Sequence, residues 1–173
     1  MSFSLTFWSR YSSSCVSECV GLDALISGDV YSVPDSALTT SHGHDDYSAR
    51  ASRLNSNGYW SPLGSSGDHW LQVNFSSPYR VVAITTTGSP AGSAYITSYQ
   101  LRYKASTSDA FANIMYQRLY VIFPGNEPGN GRSYVDHTFY RAVVARVVRL
   151  VPVSHTTAYM GVRWELLGCL AGE

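Results

Sequence analysis

The chain has 173 residues, sets 12 Lys and Arg against 12 Asp and Glu, and gives only 14% of its positions to charged types. That length suffices for one domain with a proper core, and the sparse, balanced charge leaves no electrostatic footprint for nucleic acid or an anionic membrane. No apolar run approaches the ~20 residues of a membrane-spanning helix, and the 13 Tyr and 14 Gly suit a loop-rich all-β protein.

Residues 1–18 are polar and Ser-rich around Phe3, Leu5, Phe7 and Trp8, with Cys15 near their end. The first ten lack the basic and apolar regions of a signal peptide. The segment reads as a mobile extension or as an extra strand used in assembly. Residues 20–41 predict a short strand, a turn at Val33-Pro34-Asp35, and a lead into the loop His42-Gly43-His44-Asp45-Asp46-Tyr47. Ser52-Arg53-Leu54-Asn55 follows, then Tyr59-Trp60-Ser61-Pro62 and a turn-rich loop at 63–67.

Residues 69–75 alternate, with Leu71, Val73 and Phe75 on one face, and 81–86 form a β-branched run fit for a buried strand. After the loop Gly88-Ser89-Pro90-Ala91-Gly92-Ser93, residues 96–105 set Tyr99, Leu101 and Tyr103 against Gln100, Arg102 and Lys104. Strands are also expected at 119–123, 134–139 and 143–151. The last one turns Val162, Trp164 and Leu166 to the core and Arg163 and Glu165 to solvent. This many strand signals with no convincing amphipathic helix predict an all-β fold of two packed antiparallel sheets, without internal repeat or linker.

Six short runs share an order with one known family: Ala37-Leu38-Thr39-Thr40-Ser41, Ser52-Arg53-Leu54-Asn55, Tyr59-Trp60-Ser61-Pro62, Trp70-Leu71-Gln72-Val73, Tyr95-Ile96-Thr97-Ser98-Tyr99 and Phe123-Pro124-Gly125-Asn126. With the closing run Gly161-Val162-Arg163-Trp164-Glu165-Leu166-Leu167-Gly168-Cys169, the chain resembles the discoidin family, the coagulation-factor type C domains. The resemblance implies an extension at 1–18, a discoidin jelly-roll barrel at 19–169 and a tail at 170–173. It also implies a Cys19–Cys169 disulfide in a secreted or cell-surface protein, and Arg53 as a buried structural ion-pair partner. Three reduced thiols in a cytosolic protein are the alternative for the cysteines. Cys15-Val16-Ser17-Glu18-Cys19 is similar to the C-x-x-E-C run of retinoschisin-type discoidin domains, whose first cysteine links subunits. Residues 109–115 depart from the family, which places a Trp-containing hairpin there.

No G-x-S-x-G elbow, P-loop, H-E-x-x-H or C-x-x-C occurs, and the adjacent Asp45 and Asp46 would face apart in extended chain, so no enzyme is expected. His42 and His44 have metal-ligand chemistry, but no second pair stands at metal spacing, and a solvated polar loop is the reading adopted. No cofactor is expected. Calcium through Asp45 and Asp46 is open by resemblance, although no dedicated loop motif is visible. Asn74-Phe75-Ser76 matches the glycosylation acceptor pattern at the end of a strand, and nothing is built on it.

By resemblance, the loops at 40–47, 60–67 and 88–95 cluster at one end of the barrel and hold the ligand. They give an expected binding set of His42, His44, Asp45, Asp46 and Tyr47 on one wall, Trp60 and Ser65 on a second, and Ser89, Ser93 and Tyr95 on a third. Membrane-binding members carry apolar spikes there. These tips carry none and no basic cluster, so bilayer insertion has no driving force. The expected function is a non-catalytic extracellular module that binds cell-surface glycans in adhesion or innate recognition. A structural protein that binds protein partners or self-assembles as a homo-oligomer is the alternative, and a phospholipid binder is third.

Overall fold

The computed structural model describes residues 19–42, 47–62, 68–156 and 159–172. Two short strands open the described chain, β1 (Asp23–Ala24) and β2 (Leu38–Thr40), the second entered through one turn of 3-10 helix at Asp35–Ala37. The structure is then dominated by β3 (Leu71–Thr87) and β9 (Val135–His155), with β4 (Ile96–Lys104) and β10 (Arg163–Leu170) beside them. Between β4 and β9 lie four two-residue strands, β5 (Ala112–Asn113), β6 (Met115–Tyr116), β7 (Leu119–Tyr120) and β8 (Phe123–Pro124). All ladders are antiparallel, in the order β1-β10-β3-β9-β4-β5, with β2 added to β3 and β8 to β4.

Two strands expected at 69–75 and 81–86 are one strand, and so are those expected at 134–139 and 143–151. Strand β3 alternates Leu71, Val73 and Phe75 into the core, bends through Ser76-Ser77-Pro78, and resumes as a stretch buried throughout from Val81 to Thr87. At the bend the register with β9 jumps from Asn74↔Val147 to Tyr79↔Ala145. Extra residues on one strand bend it and increase its twist. The first half of β3 pairs with β2 and the second with β10, so the bend passes the chain from one layer to the other. Both halves supply one core, with Leu71, Val73 and Phe75 meeting Val81 and Ile84 in a cluster around Trp60, Trp164, Tyr99 and Leu150. This is the discoidin-like jelly roll of antiparallel sheets.

Cys19 and Cys169 form a disulfide with a Cα–Cα distance of 5.7 Å. Cys169 pairs with Arg80, beside the bend of β3, so the bond sits at the end of the barrel where the long strands turn over. Gly168 faces the Arg80 carbonyl oxygen so closely that a Cβ there would collide with it. The proposed inter-subunit Cys15 lies outside the described residues.

The last strand departs from the expected wet face. Glu165 is 4% exposed, because residues 25–27 run across it and hang on its carboxylate. Its Oε1 accepts from Ile26 N at 2.6 Å and Leu166 N at 3.0 Å, and its Oε2 from Ser27 N at 2.9 Å. Arg53 is the structural cation expected, with 2.8 Å to Asp35 Oδ1, but that pair is wetter than expected: the Asp35 side chain is 61% exposed. Its better-buried contacts are to the carbonyls of Ile26 and Val33, both at 2.7 Å.

Candidate functional site

The ends of β2 and β3 diverge at Ser41, whose N–H donates to Trp70 O at 3.0 Å while its Oγ accepts from Trp70 N at 2.9 Å. From there the first loop is fastened to the second: Ser61 N donates to Tyr47 O at 3.3 Å, and Trp60 Nε1 to His42 O at 3.2 Å. Trp60 and Val162 exchange two backbone hydrogen bonds of 3.0 Å, which brings the loop before β10 alongside. The loop after β3 closes on itself through Ser89, whose N–H donates to Ala94 O at 2.8 Å and whose Oγ accepts from Ala94 N at 3.2 Å. Gly161 lies against Ala94 and Tyr59, where a Cβ would come within 2.8 Å of Ala94 O and 3.0 Å of Tyr59 Cδ2. Four loops therefore meet at one end of the barrel, opposite the disulfide.

At this meeting point three tyrosines gather. The rings of Tyr47 and Tyr59 lie 4.9 Å apart at 55°. Burial pushes the Tyr59 phenol above its ordinary value, helped by its hydrogen bond to Tyr47 and by the nearby Tyr47 and Tyr159 hydroxyls. Tyr47 is 38% exposed and Tyr159 69% exposed. The Thr156 hydroxyl holds the turn that carries Tyr159, donating to its carbonyl at 2.9 Å. The group offers apolar ring surface and phenolic hydroxyls together, the two halves of what a sugar presents.

Of the expected binding set, His42, Tyr47 and Ser93 lie at the surface of this end. Three members are corrected. Trp60 is 0% exposed, because its backbone pairs with Val162 and its indole fills the core. Ser89 is 1% exposed and spends its hydroxyl closing its own loop. Tyr95 is buried, its ring packed against Gly131. None of the three can line a ligand wall as built. His44, Asp45, Asp46 and Ser65 lie outside the described residues. Among the described residues no His, Cys, Asp or Glu cluster could hold a metal.

Two rim residues were missing from the expected set. Tyr59 could have been found by parity, since it precedes the inward Trp60 on an extended segment and must face the other way. Tyr159 comes after Ser154-His155-Thr156-Thr157, which reads only as a turn, and nothing local places it near Tyr59.

A model of the F5/8 type C domain matches residues 36–166. Among solved structures, wild-type discoidin II from Dictyostelium discoideum is 25% identical over 76% of this chain and 53% of its own, with a TM-score of 0.65. This chain thus spans about half the length of discoidin II. Chitosan-binding module 1 of a chitosanase/glucanase from Paenibacillus sp. IK-5 is 20% identical over 76% of this chain and 93% of its own, at a TM-score of 0.57. The family 32 module of NanJ from C. perfringens, solved in complex with galactose, is 13% identical over 84% of this chain and 98% of its own, at 0.57. At those identities the last two speak for the fold.

Proposed function

The chain belongs to the F5/8 type C domain family, and from that premise we propose that it is a non-catalytic module that binds glycans at its loop end. The observation that carries the reading is the cluster of Tyr47, Tyr59 and Tyr159 where four loops meet. A pyranose ring laid on a tyrosine face buries its apolar C–H surface, while its hydroxyls reach phenols, His42 and Ser93. Asp45 and Asp46, next to Tyr47 in the sequence, are the proposed acceptors for sugar hydroxyls, and His44 and Ser65 belong to the same proposed set. The galactose-bound relative and the chitosan-binding relative lend the reading weight as neighbours in fold. A disulfide between Cys19 and Cys169 supports an extracellular setting, where such bonds persist.

A glycan array followed by calorimetry on its best ligand tests this. Tyr47→Ala, Tyr159→Ala and Asp46→Ala are each expected to weaken binding several-fold, as loss of a polar partner or a stacking ring does. If all three bind like the parent while a change at the disulfide end abolishes binding, the loop end is not the site.

A protein-binding role is the second reading. It is favoured by the hairpin of β6 and β7, which exposes Met115, Tyr116, Leu119 and Tyr120 beside Ile122. Non-reducing electrophoresis of the parent and Cys15→Ser reads the assembly version of that role directly.

A further inference from the structure

The outer face of the β2-β3-β9-β4 layer carries a polar row that the loop-end reading does not use. Cross-strand registers set Thr39 opposite Gln72, Gln72 opposite Arg149, Arg149 opposite Arg102, and Arg102 opposite Asn113. Residues opposite one another share a face, so the two arginines lie side by side. The Arg149 guanidinium is stacked between two rings, 4.0 Å from the Trp70 centroid and 4.1 Å from that of Phe111. Its Nε donates to Gln72 Oε1 at 2.9 Å, and its terminal nitrogens donate to nothing among the described residues. Arg102 makes no hydrogen bond or ion pair among them, and its Nε is buried without a partner. Lys104 adds a third cation, 4.7 Å from the Phe111 centroid. The nearby Asp109 carboxylate is engaged by Ser106 N at 2.8 Å.

Like charges directly opposite on a ladder repel, and among the described residues no carboxylate pairs with them. Burial and the neighbouring Arg102 both press Arg149 toward its neutral form. Stacking fixes the plane of Arg149 and leaves its terminal donors in that plane, the geometry that grips an oxyanion through two parallel N–H bonds. Of the flanking groups, Thr39 Oγ1 is buried and Gln72 is held at both ends by Arg149 and Asn74, which leaves Asn113 to meet a hydroxyl. The chain as a whole has no net charge to draw a long polyanion such as nucleic acid.

We propose that this face is a second binding site, in which Arg149 and Arg102 hold a sulfate or carboxylate group of an acidic glycan. It is separate from the tyrosine rim and does not depend on it.

Calorimetric titration with a size-defined heparin fragment tests the site. The parent is expected to bind with an affinity that falls as salt rises, because salt screens exposed charge. Arg102→Gln and Arg149→Gln should each lose about tenfold, the worth of one charge-assisted hydrogen bond. Fully desulfated heparin, which keeps its carboxylates but loses most of its charge, should bind more weakly than heparin, and Tyr47→Ala should bind like the parent. Arg102 gives up no hydrogen bond on substitution, so Arg102→Gln carries the test even if the stacked Arg149 proves necessary for folding. Parent-like binding by Arg102→Gln overturns the proposal. So does an equal loss in Arg141→Gln, an exposed arginine outside the row, which would mean diffuse attraction. Equal affinity for single-stranded DNA, or saturation by inorganic sulfate at the same concentration as heparin, would overturn the glycan assignment.

Discussion

Glu165 and Arg53 hold opposite sides of the same residue. The carboxylate accepts from Ile26 N at 2.6 Å, and the guanidinium donates to Ile26 O at 2.7 Å. An acid on the last strand and a base from the 50s loop thereby fix the segment that roofs the last strand. Burial raises the Glu165 carboxyl above 4.5, against the pull of backbone N–H groups from Ile26, Leu166, Ser27 and Leu25.

A pH dependence follows from that direction. From the ordinary value of 4.5 up to the raised one, the folded state keeps a proton that the unfolded chain releases. The contribution of Glu165 is therefore fully present below 4.5 and is withdrawn as pH climbs through the raised value. Glu165→Gln cannot titrate, and it turns an amide N–H₂ toward a backbone donor. It should be less stable than the parent at acid pH, with the gap narrowing as pH rises. Denaturant unfolding of both proteins across that window measures this, and a pH-independent gap would contradict it.

Arg53 and Asp35 should behave unequally although they form an ion pair. Asp35 is 61% exposed on its side chain, so Asp35→Ala should cost under about 1 kcal/mol, the range of surface pairs. Arg53→Ala takes the guanidinium donors from Val33 O and from Ile26 O, which keeps only Val33 N at 3.1 Å, and should cost about 1–3 kcal/mol. Urea midpoints of the two variants settle the order.

Trp60 is fully buried and Tyr159 is 69% exposed, so the two should differ in what they do for stability. Trp60→Ala opens a hole in the core and should cost about 3–5 kcal/mol. Tyr159→Ala should leave the melting temperature within about a degree or two, since exposed substitutions move stability little. The reverse order in a thermal melt would mean that the rim is structural.

The hairpin tip stores strain that a glycine would release. Gln117 and Arg118 adopt φ of 48° and 70°, a left-handed turn built from residues that disfavour it. Arg118→Gly should lower local opening, seen as slower amide exchange at Val121, whose N–H is bonded to Ile114 O at 3.1 Å. Faster exchange there would show that the arginine side chain, rather than the backbone, holds the turn.

Alternation made the inward sets Leu71, Val73, Phe75 and Tyr99, Leu101 legible, because each lies on a strand with one face covered. The continuity of β3 was not legible: Ser76-Ser77-Pro78 breaks the pattern in the same way whether a strand ends or bends. Glu165 read as solvent-facing because its roof comes from residues 25–27, far away in sequence. In the expected site, Trp60 was placed on the ligand side because an aromatic in a loop motif invites that role. Trp60 is buried while its neighbour Tyr59 is partly exposed, and one step of parity separates the two. Tyr159 could not be found, since only the meeting of separate loops brings it near Tyr59.

The Cys19–Cys169 bond closes a loop with a sequence separation of 150. Chain entropy puts its contribution at about 5 kcal/mol, to be read from denaturant unfolding before and after reduction. Strands β3 and β9 each run from the loop end down to the bend near this bond and back again. The molecule thus has two poles, one cross-linked and one carrying the proposed glycan site. Separated groups with no shared partner act additively, so the thermodynamic cycle linking reduction to rim occupancy should close with almost no coupling energy. Cutting the covalent clasp would then loosen the whole fold without retuning the ligand preference of the proposed tyrosine site.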